Sequence, residues 1–168
     1  AGRIQECRRS VARWIRTGDR VLIAGVGTGT ELPALWAAKP AAIVGIDTSM
    51  AMLSQAGRRD PRTRLVCADV ATWLHSTAPT FDVIYAPFFL NLFAPPRLTQ
   101  WLHALREALP RGGRLLVADF APATKGRLRR RIQQLSWRLP MTVCRRLAGG
   151  EAHPLHDLDH ALSSAGLR

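Results

Sequence analysis

An apolar run, Val21-Leu22-Ile23-Ala24, passes into the turn Gly25-Val26-Gly27-Thr28-Gly29 and then into Glu31-Leu32-Pro33-Ala34-Leu35-Trp36-Ala37. The order reads as strand, tight turn and helix. This unit limits the fold more than any other feature of the chain. A strand that leads straight into a helix pairs again only through a crossover, and such crossovers are right-handed and build parallel sheets. Four further strand-like runs follow, at about 42–46, 64–68, 81–86 and 113–119, with helical stretches between them. Five strands alternating with helices predict an α/β, Rossmann-like doubly wound sheet of strand order 3-2-1-4-5. That order gathers the carboxyl ends of strands 1, 2 and 3 beside strand 4, where the winding reverses.

The residues at those ends suit a ligand. Glycine without a Cβ takes positive φ and lets the backbone approach what is bound, while the unpaired N–H groups of a helix start attract an anion, either a phosphate or a carboxylate. The second run, Ala42-Ile43-Val44-Gly45-Ile46, ends in Asp47, where a carboxylate of a doubly wound fold accepts hydrogen bonds from a ribose. The third, Arg64-Leu65-Val66-Cys67-Ala68, ends in Asp69, which is placed to accept from an adenine amino group. A dinucleotide fingerprint needs its third glycine at position 30, which is Thr30. The set therefore favours a mononucleoside over a dinucleotide.

Five segments, VLIAGVGTG, VGIDTSMAML, LVCADV, FDVIYAPFFLNL and LPRGGRLLVADF, follow one another in the order and roughly at the spacing of the class I S-adenosylmethionine-dependent methyltransferases, and over about residues 17–120 the chain resembles that family. The resemblance implies S-adenosylmethionine as cofactor and S-adenosylhomocysteine as its product. It also implies the binding residues. Gly25, Gly27 and Gly29 would receive the methionine portion and Asp47 the ribose, with Ala24, Val26 and Thr48 also among the cofactor-binding residues. Met52 would face the adenine, Asp69 and the backbone N–H of Val70 would bond it, and Tyr85 and Ala86 would lie beside the sulfur. One position departs from the family. An acid usual at the third place of the first segment, where it helps hold the methionine ammonium, is Ile23 here.

Methyl transfer from a sulfonium is an in-line displacement served by proximity and orientation, and a general base is needed only for a protonated acceptor. No catalytic side chain is therefore required; the polar candidates near the transferred methyl are Tyr85 and then Asn91. The segment Tyr85-Ala86-Pro87-Phe88 lacks the polar head and first proline of the nucleic-acid amino methyltransferases. The wall Pro87, Phe88, Phe89, Leu90 and Phe93 suits an apolar, aromatic or lipid-like acceptor. In general likeness the chain resembles the bacterial-type enzymes of quinone biosynthesis and the phosphatidylethanolamine N-methyltransferases. Two other readings stay open, an RNA methyltransferase and a non-catalytic domain that keeps the fold for binding.

Composition frames these readings. A chain of 168 residues with 47% apolar content supports a single domain over 1–168, with an amphipathic helix in 1–17, the cofactor core in 18–120, and a basic amphipathic helix and a final helix in 121–168. The lack of an initiator methionine suggests a segment of a longer protein. Ala165-Gly166-Leu167-Arg168 resembles the start of a sixth strand, so the family's usual sixth and seventh strands are expected to be absent or truncated. Net charge is +12, and every basic residue except Lys39 and Lys125 is arginine. Such a field calls for nucleic acid, anionic lipid or an acidic partner. Residues 126–147 set Leu128, Ile132, Leu135, Leu139, Val143 and Leu147 on one face among arginines, with a kink due at Pro140, and this helix suits an anionic membrane surface. Nucleic acid is the less favoured partner, and the oligomeric state is left open.

His156 and His160 share a helical face, but the context is not that of a metal protease and no metal is expected. Glu151 and His153 fall instead near the mouth of the expected site. Cys7, Cys67 and Cys144 form neither a paired framework nor a metal spacing, so a reducing cytoplasm, with peripheral contact at the membrane, is the simplest setting.

Overall fold

The computed structural model describes residues 3–77, 80–119 and 157–167. Five parallel strands, β1 (Arg20–Ala24), β2 (Ala42–Asp47), β3 (Arg64–Cys67), β4 (Val83–Pro87) and β5 (Arg114–Ala118), form one sheet in the order β3-β2-β1-β4-β5. This is the doubly wound order expected from the alternating pattern. The helices are α1 (Arg3–Ser10), α2 (Leu32–Ala37), α3 (Met50–Arg59), α4 (Val70–Thr77), α5 (Pro95–Glu107) and α6 (Leu158–Ser164), with short 3-10 turns at Val11–Trp14 and Leu90–Leu92.

Strand residues alternate between two cores, as the pleat requires. Leu22, Ala24, Ile46, Ile84 and Ala86 pack with Leu74 of α4 and with Leu98, Trp101 and Leu105 of α5, and Leu158, Ala161 and Leu162 of α6 close over this core. Val21, Ile23, Ile43, Val83 and Tyr85 pack on the other face with Val11, Ile15, Leu32, Leu35 and Leu53. Covered on both sides, β1 and β4 read as unbroken apolar runs, the mark of central strands in a parallel sheet.

Helix starts follow local chemistry. The Ser49 side chain accepts from the Met52 N–H at 3.4 Å to cap α3, and Asp157 accepts from the His160 N–H at 3.2 Å to cap α6. Prolines open α2 and α5, where a missing N–H costs nothing.

Three expectations need correction. Residues 165–167 finish a helix instead of beginning a strand: Gly166 takes φ +72, and the Leu167 N–H returns to the Leu162 carbonyl at 2.9 Å, which buries the Leu167 side chain. The α-helical turns at the N-terminus stop at Ser10 and the 3-10 turn at Trp14. Ile15 is then extended and buried, and Trp14 is left 54% exposed, not on the apolar face with Val11. Finally, β4 begins at Val83, because the Phe81 N–H bonds the Ala108 carbonyl and Asp82 turns its carboxylate to the Arg20 N–H at 2.8 Å. The basic helix expected at 126–147, and Cys144, Glu151, His153 and His156, lie outside the described residues.

Candidate functional site

β1 neighbours β2 on one side and β4 on the other, so the winding reverses between β1 and β4 and leaves a crevice at their carboxyl ends. The glycine turn sits there. Its first two amides, Gly25 and Val26, both donate to the Ile46 carbonyl, at 2.9 and 3.0 Å, which folds the turn over the end of β2. Gly25, Gly27 and Gly29 take φ of +74, +55 and +67, a conformation that costs an L side chain about 1–2 kcal/mol. They differ in surroundings. A Cβ at Gly25 would stand 2.5 Å from the Phe89 ring, and one at Gly29 would stand 2.6 Å from Leu32 and 2.9 Å from Ala56. A Cβ at Gly27 would meet nothing within 4 Å. Gly25 and Gly29 are thus demanded by packing, whereas Gly27 borders open space in the crevice.

Asp47, half-buried, ends β2 with both oxygens engaged: Oδ2 accepts from the Gly27 N–H at 2.8 Å and Oδ1 from the Ser49 N–H at 2.9 Å. The carboxylate therefore fixes the glycine turn, and each oxygen keeps a second lone pair for a ligand hydroxyl. Thr48 follows it, exposed, and Met52 on α3 is 38% exposed. Asp69 lies just before α4. Its Oδ1 accepts from the Thr72 N–H and hydroxyl at 3.0 and 3.1 Å, and its Oδ2 pairs with the Arg97 guanidinium at 3.2 Å. Val70 opens α4, so its N–H is one of those a helix start leaves without an intrahelical partner. A cavity of about 570 Å³ lies between the first turns of α4 and α5, lined by Asp69, Thr72, Pro96, Arg97, Gln100 and Trp101 among others.

The structure brings Gly25, Gly27, Gly29, Asp47 and Thr48 together at the ends of β1 and β2, with Asp69 at the end of β3. Ala24, Val26, Tyr85 and Ala86 are wholly buried and Val70 nearly so. Tyr85 is the register partner of Ile23 and belongs to the core under α2 and α3. Asn91 is buried too: its Nδ2 donates to Asp119 Oδ1 at 2.9 Å and its N–H to Asp119 Oδ2 at 3.1 Å, which ties the turn after β4 to the end of β5. Of the apolar wall, Phe89 and Phe93 stack edge-on at 4.8 Å and join Trp101 in the core with Leu90. Only Phe88 stays half-exposed, held at φ +52 by its N–H to the Ala118 carbonyl at 2.6 Å.

Two groups escape a reading of the sequence. Arg97 lies over the Phe93 ring at 5.5 Å while it holds Asp69, an arrangement made only when α5 packs beside α4. Glu31, at the start of α2 next to the glycine turn, is wholly buried, and its Oε2 accepts from the Thr30 hydroxyl at 3.1 Å. An acid in that place reads in sequence as a solvated first-turn partner of the helix dipole. Among the described residues no three His, Cys, Asp or Glu are grouped to hold a metal ion, and no helix is long and apolar enough to cross a membrane.

The family described as methyltransferase domain matches residues 21–113. The trans-aconitate 2-methyltransferase of Methylobacterium radiotolerans is 32% identical over 137 residues, which cover 67% of this chain and 52% of that protein. The phosphatidylethanolamine N-methyltransferase of Cereibacter sphaeroides is 30% identical over 135 residues, covering 76% of this chain and 64% of that protein. Among solved structures, a sugar N-methyltransferase from Streptoalloteichus superposes with a TM-score of 0.59 at 26% identity, covering 73% of this chain and 50% of that one. The chain spans about half the length of the first of these curated relatives.

Proposed function

Because the chain belongs to the class I S-adenosylmethionine-dependent methyltransferases, we propose that it transfers a methyl group to a small-molecule acceptor. The observation that carries this reading is the crevice itself, where a glycine turn with open space at Gly27 is held against Asp47 at the point where the winding reverses. S-adenosylmethionine supplies a methyl on a sulfonium, which the acceptor's lone pair takes in line, leaving the neutral thioether of S-adenosylhomocysteine and, from a protonated acceptor, a proton. The chain's own residues bind and orient. Gly27 lets the methionine portion lie against the backbone, Asp47 receives the ribose hydroxyls while it holds the turn, and Asp69 with the Val70 N–H receives the adenine edge.

We infer that Glu31 supplies the carboxylate that Ile23 does not. A buried carboxylate beside the turn, already given one hydroxyl donor by Thr30, gains most from an ammonium, because charges attract strongly where water is excluded. Glu31→Gln is expected to weaken S-adenosylhomocysteine by about tenfold or more, the worth of one charged hydrogen bond, and to leave 5′-methylthioadenosine, which lacks the amino acid, unchanged. Equal weakening of both ligands would refute this role.

An apolar, aromatic or lipid-like acceptor is supported by half-exposed Phe88 at the end of β4 and by the phosphatidylethanolamine-methylating relative. A small carboxylic acid is the second reading, favoured by Arg97 at the crevice edge and by the relative acting on trans-aconitate. Calorimetry with S-adenosylhomocysteine tests the cofactor, and no heat at millimolar ligand would leave only a non-catalytic domain. Labelled-methyl transfer to extracted lipids and quinols, to tricarboxylic acids and to RNA separates the acceptors, and labelling of RNA alone would overturn the small-molecule reading.

A further inference from the structure

All five strands are parallel, so their first residues share one edge of the sheet, and the helices that return across its faces bring their last turns to that same edge. The edge is basic. Arg20 opens β1 and Arg64 opens β3, Arg106 lies in the last turn of α5, and Arg111 lies in the turn before β5. Arg13 and Arg16 join them through hydrogen bonds: the Arg16 N–H donates to Asp19, and the Arg114 guanidinium at the start of β5 donates to the Trp14 carbonyl at 2.6 Å. These six arginines are exposed. The acids beside them are largely spent, since Asp19 and Asp60 are buried in pairs with Arg114 and Arg62, and Asp82 takes the Arg20 N–H. Glu107 is the exposed acid at the end of α5.

Trp14 projects from this edge, 54% exposed, with the Arg13 guanidinium over its ring at 5.6 Å. We propose that the strand-start edge docks on an anionic lipid surface, with Trp14 in the headgroup layer. A row of five strand starts spans roughly 20 Å, a near-linear front of cations that meets a plane of phosphates at many points. An indole with one apolar body and one polar N–H belongs at such a boundary. Single-stranded nucleic acid is the poorer fit, because it is held by successive stacking rings along a groove, and Trp14 is the one large aromatic exposed among the described residues. Docking by this edge points the crevice away from the bilayer, so it favours an acceptor that arrives from solution. It does not rest on the methyl-transfer reading.

The test is co-sedimentation of the full chain with vesicles of phosphatidylcholine, alone or with roughly 30% phosphatidylglycerol. Binding is expected only to the anionic vesicles and is expected to fall as salt rises from about 0.1 to about 0.5 M. At about fivefold per arginine, the variant R13Q/R16Q/R111Q should weaken it by about 100-fold, and Trp14→Ala by several-fold, with thermal midpoint and S-adenosylhomocysteine affinity as in the parent. Failure of the parent to bind anionic vesicles, or a triple variant that binds as tightly as the parent, would overturn the proposal. Tighter binding to a single-stranded RNA of about 20 nucleotides, lost in the same triple variant, would overturn it in favour of nucleic acid.

Discussion

The two ends of the sheet carry opposite charge and use it differently. At the carboxyl ends of the strands lie Asp47, Asp69, Asp119 and Glu31, with Arg97 as the cation paired among them; Asp47, Asp69 and Asp119 engage both oxygens, and Glu31 its Oε2, with backbone or side-chain donors at 2.8–3.2 Å. At the strand starts, arginines stand in solvent, Arg58 and Arg59 among them in the last turn of α3, where a helix's negative end favours cations. Only two ion pairs there involve a buried acid, Asp19 with Arg114 and Asp60 with Arg62, among the described residues. Fixed carboxylates line the end that holds the crevice, whereas solvated guanidinium groups cover the other. Substitutions at the strand starts should therefore alter stability or surface binding and spare the cofactor, and those at the crevice should do the reverse.

Asp19→Ala is the strongest way to break that comparison. Both Asp19 oxygens accept from one Arg114 nitrogen, at 2.8 and 2.7 Å, and the side chains are 9% and 22% exposed. Removing one partner of a pair so little exposed leaves the other charge unmatched and costs about 3 kcal/mol. Thermal unfolding should show a drop of many degrees, while the folded protein keeps its S-adenosylhomocysteine affinity within about twofold. A folded variant that lost its affinity would show that the two ends are coupled through β1 and would break the comparison.

Glycines sharpen it within the crevice. Gly29→Ala combines a left-handed backbone with contacts at 2.6 and 2.9 Å, so about 2–4 kcal/mol of stability should be lost. Gly27→Ala meets no neighbour, and only the backbone cost of about 1–2 kcal/mol should appear in the melting curve. Its added methyl fills the open side of the turn, and calorimetry should show S-adenosylhomocysteine affinity reduced by about tenfold or more, the scale of one lost backbone contact. If Gly27→Ala bound the ligand normally, the methionine portion would not lie on this turn.

The order of the sheet was legible because a parallel sheet buries both faces, so each strand announces itself as a continuous apolar run closed by glycine or aspartate. The crevice residues were legible for the same reason, since Gly25, Asp47 and Asp69 each follow such a run. The second duty of Asp47, as an acceptor for the Gly27 and Ser49 amides, was not, because it depends on how the turn folds back over Ile46. The apolar stretch after β4 gives the same composition whether it lines a pocket or fills a core. The ring stacking of Phe89, Phe93 and Trp101 decides mostly for core, through a contact with α5 that no local pattern reports. The basic edge was hidden for another reason. Its arginines are scattered along the chain, at strand starts, helix ends and turns, and only the parallel topology draws Arg13, Arg64 and Arg111 to one side.

Arg62→Gln should have the smallest effect. The side-chain hydrogen bond from Arg62, at 2.7 and 2.9 Å, is the main cause that holds the Asp60 carboxyl below the ordinary value of 3.8, against burial, which raises it. A carboxyl whose folded pKa is depressed lends stability that is complete above its unfolded pKa and is lost as pH falls through the folded one. The variant should therefore melt slightly below the parent near neutral pH, and the difference should shrink as pH falls below about 4, where Asp60 becomes protonated in both proteins. Circular dichroism followed down in pH measures the difference, and S-adenosylhomocysteine affinity should not change. Arg62 also lies over the Trp36 ring at 4.8 Å, so a loss equal at all pH values would trace to stacking and not to charge. A melting point unchanged at neutral pH would mean that Asp60 is held by backbone donors alone, leaving the Asp19 pair, among the described residues, as the one ion pair at the strand starts that contributes to the fold.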